Sequence, residues 1–220
     1  MTRANVAVHL SHRRERITGV EEWRVAVERK PKLLVDIDGV VAEQASMIGI
    51  ANEVSGGRTR LSLGDWKHYH LTDCPDARGE VLTADEWKEV LRRYSDPERI
   101  ANLPLIPGAR EVLPRLARRY DIAIVTTRRP ELGAATRNWL SLWADFPFSL
   151  TFVPHRRKHN VLGIHLAVED DYDQAVLFAG CGTPCFLMRW PWNDRRPEID
   201  GVWWVSGWDD LEGRLAGRGK

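Results

Sequence analysis

The sequence predicts an α/β protein: a Rossmann-like parallel sheet with helices on both faces and a small, mainly helical cap inserted after the first strand. Three observations carry this expectation. Short apolar runs alternate with segments of helical character from residue 104 onward, as in a parallel sheet built from strand–helix units. The first apolar run, "KLLVDI", stops abruptly at glycine, as a buried strand does at a turn. The alternation is then broken by a long, mainly helical stretch over 42–103. An insertion at that point lies over the carboxyl end of the first strand, where ligands bind in such sheets.

Residues 1–31 are basic, end in proline and read as an N-terminal extension, with "VEEWRVAVERK" able to form a short helix. After the "KLLVDI" strand, "AEQASMIGIANEVSG" reads as a helix closed by Gly56-Gly57. "TADEWKEVLRRYS" opens with Thr83 and has Glu86 three residues on, a capping box at a helix start. "LPLIPGAREVLPRLARRY" is a loop followed by a helix beginning near Pro107. "DIAIVTT" is the second strand, "PELGAATRNWLSLWADF" a helix, "SLTFV" the third strand and "HLAVEDD" the fourth. "DYDQAVLFAGCG" is a helix with a glycine stop, "PCFLM" the fifth strand and "GWDDLEGRLAG" the last helix. The division expected is therefore an extension over 1–31, a core over 32–41 and 104–220, and a cap over 42–103.

Composition sets bounds on function. Of the 220 residues, 43% are hydrophobic, enough for a sizeable core. Lys plus Arg number 32 against 31 Asp plus Glu, so no global charge points to a nucleic-acid polymer or a membrane surface. The three cysteines have no disulfide-framework or zinc spacing, and a reducing cytoplasm is the compartment expected. No apolar run is long enough to span a bilayer, and the N-terminus lacks the apolar segment of a secretory signal.

The strand ends carry the chemistry. The first supplies Asp36 and Asp38, the second Thr126 and Thr127, the approach to the fourth Lys158, and its end Glu169, Asp170 and Asp171. A parallel sheet brings such ends to one edge, although they are far apart in sequence. Carboxylates with water suit a hard cation such as Mg²⁺. One carboxylate can attack phosphorus, and a second can move a proton. A hydroxyl and a lysine can hold phosphoryl oxygens as charge develops on them. Together these are the residue types that metal-assisted phosphoryl transfer requires.

In order and content, "DIDGV", "IVTT", an isolated lysine and "VEDD" resemble the motifs of the haloacid dehalogenase superfamily of phosphohydrolases, over roughly residues 33–190. The resemblance implies a haloacid dehalogenase-like core and an Mg²⁺ cofactor. It implies Asp36 as nucleophile and metal ligand, and Asp38 as general acid/base with its backbone carbonyl on the metal. Thr126, with Thr127 beside it, and Lys158 would bind phosphate, and Asp170 would complete the metal site, Asp171 being the alternative. "RWPWN" and "GWDDLEGRL" are similar to the 5'(3')-deoxyribonucleotidase-like branch. Its members carry a small helical cap and hydrolyse nucleoside monophosphates.

Arg128 is a candidate contact for the substrate, against a solvated loop. Trp66 and Trp87 are candidate stacking walls for a base, against cap packing. The expected partner is a small phosphorylated substrate, a nucleoside monophosphate first, with a homodimer also compatible with the sequence. Rival readings are a sugar-phosphate or other metabolite phosphatase, a phospho-receiver module, and a catalytically silent binding protein. Asp38 and the long insertion count against the receiver.

Overall fold

The computed structural model describes residues 30–217; the short helix expected in "VEEWRVAVERK" lies, except for Lys30, outside them. Among the described residues the strands are β1 (Lys32–Val35), β2 (Asp121–Thr126), β3 (Phe148–Phe152), β4 (Ile164–Glu169), β5 (Cys185–Met188) and β6 (Val202–Val205). They form one sheet in the order β3-β2-β1-β4-β5-β6, and every pairing is parallel. The chain leaves β1 to build β2 and β3 on one side, then crosses back to place β4 on the other. The β1/β4 junction is therefore the point where strand order reverses, and a crevice opens there beyond the carboxyl ends of the strands.

The central strands are apolar on both faces because both are covered. On one face, Leu34, Ala123, Val125 and Leu187 pack with Ala175 and Phe178 of α6 (Tyr172–Gly180). On the other, Leu33, Val35, Ile122 and Phe186 join one large cluster. That cluster takes in apolar side chains from α4 (Ala109–Leu116), α5 (Gly133–Ser141) and α7 (Trp208–Gly217). The last strand, β6, was not expected from the sequence. Its "VWWV" run is as short as β1 and β5 but lies at the sheet edge, where its two tryptophans are only half-buried.

Between β1 and α4 lie α1 (Ser46–Val54), α2 (Ala84–Tyr94) and α3 (Pro97–Ala101), with two short 3₁₀ turns. The capping box on α2 is present: the Thr83 hydroxyl accepts from Glu86 N–H, and the Glu86 carboxylate accepts from Thr83 N–H. Helix α1 packs on α2, and α3 packs on α5 of the sheet layer. Leu71, Leu82, Val90 and Ile100 of this segment belong to the same apolar cluster as β1 and β2. The path from β1 into the segment is a tight turn. Val41 and Ala42 N–H both bond Ile37 C=O, and Gly39 adopts φ +77°. A Cβ on Gly39 would fall 2.4 Å from Asp170 Oδ2, so glycine is demanded by both conformation and space.

Candidate active site

The strands of the crevice contribute residues at or just past their carboxyl ends. Asp36 N–H still bonds Val168 C=O at 3.1 Å, which fixes the first carboxylate beside the end of β4. There Glu169 and Asp170 emerge. Lys158 arrives on a short 3₁₀ turn ahead of β4. It is 2% exposed, with its ammonium 2.6 Å from Asp36 Oδ2 and 2.9 Å from Glu169 Oε1. Asp36 Oδ1 accepts from Ile37 N–H at 2.6 Å. Asp170 Oδ2 accepts from Gln44 Nε2 and Trp192 Nε1, each at 3.2 Å.

Oxygen atoms of Asp36, Glu169 and Asp170 all lie within 4.8 Å of one another. Three buried carboxylates thus face one ammonium. Burial pushes all three above the usual carboxylate range, and Lys158 only partly counters it for Asp36 and Glu169. For Asp170 the negative charge of Asp36 adds to the rise. Burial would lower the Lys158 pKa, but Asp36 and Glu169 more than offset this and raise it. The cluster is therefore short of positive charge. Its donors are all oxygen, the set that suits Mg²⁺, so the residues present fit a divalent cation.

Asp38 stands apart from that cluster. Arg128 grips it with both ends of the guanidinium, Nε to Oδ2 at 2.8 Å and Nη2 to Oδ1 at 2.7 Å. The Tyr94 hydroxyl, from the end of α2, donates to Oδ1 at 2.9 Å. Burial opposes the charge on Asp38, but Arg128 and Tyr94 outweigh it and hold the pKa below the usual value. Arg128 is 8% exposed and is steadied by Thr136 Oγ1 at 3.3 Å and by the Trp139 ring.

Of the residues singled out in the sequence, Asp36, Asp38, Thr127, Arg128, Lys158, Asp170 and Asp171 line one cavity of about 190 Å³. Thr126 lies beneath it, 1% exposed, its hydroxyl accepting from Arg128 N–H at 3.2 Å. Asp171 caps α6, accepting from Asp173 N–H at 2.9 Å, while Asp170 joins the carboxylate cluster. Trp66 and Trp87 do not line the cavity. Trp66 is 3% exposed against Trp192, and Trp87 is half-buried on the large apolar cluster. Arg128, expected to meet the substrate, has its guanidinium engaged by Asp38.

Other residues went unassigned in the sequence. Glu169 has no role assigned from the sequence; it is fully buried between Lys158 and the other acids. Tyr94, Tyr69 and His155 line the cavity with no local motif to mark them. Arg156 also lines it and is the non-glycine residue at positive φ, +58°, among those described, a conformation uncommon for such a side chain.

No family model matches the chain. A Staphylococcus epidermidis protein named "Putative 5'(3')-deoxyribonucleotidase" is 27% identical over 187 residues, 83% of this chain and 94% of that protein. Among solved structures, a HAD family hydrolase from Deinococcus radiodurans with bound phosphate and sodium superposes with a TM-score of 0.58 at 17% identity, over 86% of this chain and 96% of the other. A "putative HAD-hydrolase" of Bacillus subtilis bound to magnesium gives 0.53 at 15% identity, over 86% and 99%. The likeness to these structures is one of fold: the chain has the haloacid dehalogenase-type fold that its motifs led us to expect.

Proposed function

We propose that this chain is a Mg²⁺-dependent phosphomonoester hydrolase working through an aspartyl-phosphate on Asp36, with a nucleoside monophosphate as the leading substrate class. The observation that carries the reading is the junction of β1 and β4. Asp36 is paired with Lys158 there, Glu169 and Asp170 stand beside it, and Asp38 faces the same cavity two residues on.

In the first half-reaction an Asp36 oxygen forms a bond to phosphorus as the bond to the leaving oxygen breaks, and Asp38 gives that oxygen a proton. In the second, Asp38 takes a proton from water, the water oxygen bonds to phosphorus, and the Asp36–phosphorus bond breaks. Lys158 and the Thr127 hydroxyl hold the phosphoryl oxygens throughout. Asp36 and Asp170, with Glu169 in the same cluster, would hold Mg²⁺, which would supply positive charge to the phosphoryl group. In the present geometry both oxygens of Asp38 accept hydrogen bonds. That arrangement suits taking a proton; giving one from Oδ2 requires Arg128 Nε to withdraw from that oxygen as substrate enters, while Tyr94 keeps its hold on Oδ1. The segment 42–103 acts as the cap, shutting out bulk water and selecting the leaving group.

The name of the Staphylococcus epidermidis protein supports the nucleotide class, and so do the Tyr69 and His155 rings at the cavity, which offer faces for a base. The cavity volume favours a second reading. At about 190 Å³ it is below the roughly 300 Å³ typical of ligand pockets, which fits a smaller metabolite phosphate unless the cap opens. Phosphate release from a panel of nucleoside monophosphates and sugar phosphates, with Mg²⁺ or with chelator, separates the two. Metal-dependent release from nucleotides, lost in Asp36→Asn, is the expected outcome. Release from sugar phosphates alone keeps the mechanism and removes the nucleotide. Turnover by no member of the panel favours a silent binding protein.

A further inference from the structure

The indoles around the carboxylates form a connected set. Trp192, 6% exposed, donates from Nε1 to Asp170 Oδ2 at 3.2 Å. Its neighbour Trp190 stacks parallel to it, centroids 4.9 Å apart and planes 8° apart. Trp190 donates from Nε1 to Gly39 C=O at 2.7 Å, in the turn that follows Asp38. Asn193 donates to Asp170 C=O at 2.8 Å and to Met188 C=O at 2.7 Å. The "WPWN" stretch therefore grips Asp170 at side chain and backbone, and also the turn packed against it. Trp66 reaches Trp192 from between α1 and α2, with centroids 4.5 Å apart. Trp66 Nε1 is buried without a hydrogen-bond partner. Leaving an N–H unpaired costs free energy, so what Trp66 contributes is its ring packing on Trp192.

We propose that Trp192 is a positioning residue for Asp170, aiming its carboxylate at the metal, and that Trp66 links the 42–103 segment to metal affinity by fixing Trp192. The inference rests on the reading of Asp170 as a Mg²⁺ ligand. Gln44 Nε2 shares Asp170 Oδ2 with Trp192, but Gln44 is half-buried whereas the Trp192 indole is buried and stacked; without that rigid donor Asp170 would need more ordering whenever the cation binds. Partners behind a metal ligand typically change affinity by about 10–100-fold when removed. Trp66 has its ring contact with Trp192 rather than with a carboxylate of the cluster, and the proposal routes its effect on affinity through that contact.

The test is a Mg²⁺ titration of the substrate-free protein, followed by the indole N–H signals in ¹H–¹⁵N spectra. Trp192→Phe keeps a ring in the stack and removes the donor; its Kd for Mg²⁺ should rise about ten-fold or more. Trp66→Leu should raise it by a smaller factor. Trp143→Phe removes a buried indole whose rings meet Trp139 and Phe146 and should leave Kd unchanged. In the wild type, which carries no folding risk, the Trp192 N–H signal should shift on Mg²⁺ addition, and by more than that of Trp143. A Trp192→Phe affinity within two-fold of wild type, or an unmoved Trp192 signal while the protein binds Mg²⁺, overturns the proposal alone. A wild type that binds no Mg²⁺ sinks the metal reading itself and this inference with it.

Discussion

Asp38 is held by three donors from two parts of the chain: two from Arg128 after β2, and one from Tyr94 on α2. The arginine is fixed by buried neighbours, whereas Tyr94 belongs to the segment proposed to move. Tyr94 is therefore the contact through which the 42–103 segment can set the aim of Asp38. A hydrogen bond to a charged group is worth about 1.5–3 kcal/mol, and 1.36 kcal/mol off a barrier is about ten-fold in rate. Tyr94→Phe should lower turnover of alkyl phosphomonoesters by about ten-fold or more, because an alkoxide needs a well-placed proton. It should lower turnover of p-nitrophenyl phosphate much less, since that phenolate leaves without one. Steady-state rates on both substrates check this; an equal loss on the two would remove Asp38 alignment as the role of Tyr94.

At the scale of elements, the 42–103 segment is held by local polar devices as well as by its apolar residues. The Thr83–Glu86 box starts α2. Asp76, 5% exposed, gathers the N–H groups of Arg60, Arg78 and Glu80 at 2.8, 2.8 and 3.0 Å, and pairs with the Arg78 guanidinium. Withdrawal from water opposes the Asp76 charge, but these donors prevail and hold its pKa well below the usual value. The native state thus binds the proton less readily than the unfolded chain. The stabilisation is fully present above the ordinary aspartate pKa and is lost as pH falls through the depressed native one. Asp76→Asn should lower the melting temperature at pH 7, and its deficit against wild type should shrink as the solution is acidified below pH ~4. Thermal melts across that range decide it; a deficit that does not change with pH would assign Asp76 a role in shape alone.

The carboxylates were legible in the sequence at both elements and residues because their signals are local. An apolar run stopped by "DGV" marks β1 and places Asp36 and Asp38, and "VEDD" ends β4. What stayed hidden depends on long-range contact. Glu169 reads as one acid among three until Lys158 is seen against it. Tyr94 sits 56 residues from Asp38, at a helix end with no mark of chemistry. Trp66 was weighed as a stacking wall because aromatic character is visible in sequence and direction is not; its ring faces Trp192. The edge strand β6 stayed hidden because its place is set by pairing with β5, which leaves no mark in a run centred on two half-buried tryptophans.

Across the whole molecule, one proposal joins strand order, charge and chemistry: the reversal between β1 and β4 sets Asp36 where the proposed attack on phosphorus would take place. An acyl phosphate on an aspartate is reduced by borohydride to homoserine. The decisive measurement is peptide mass spectrometry of the protein quenched with borohydride during turnover of a phosphomonoester that it hydrolyses. Homoserine at position 36, requiring both substrate and Mg²⁺, is the result this account predicts. Full turnover with Asp36 unmodified, or homoserine at Asp170 in its place, would contradict it.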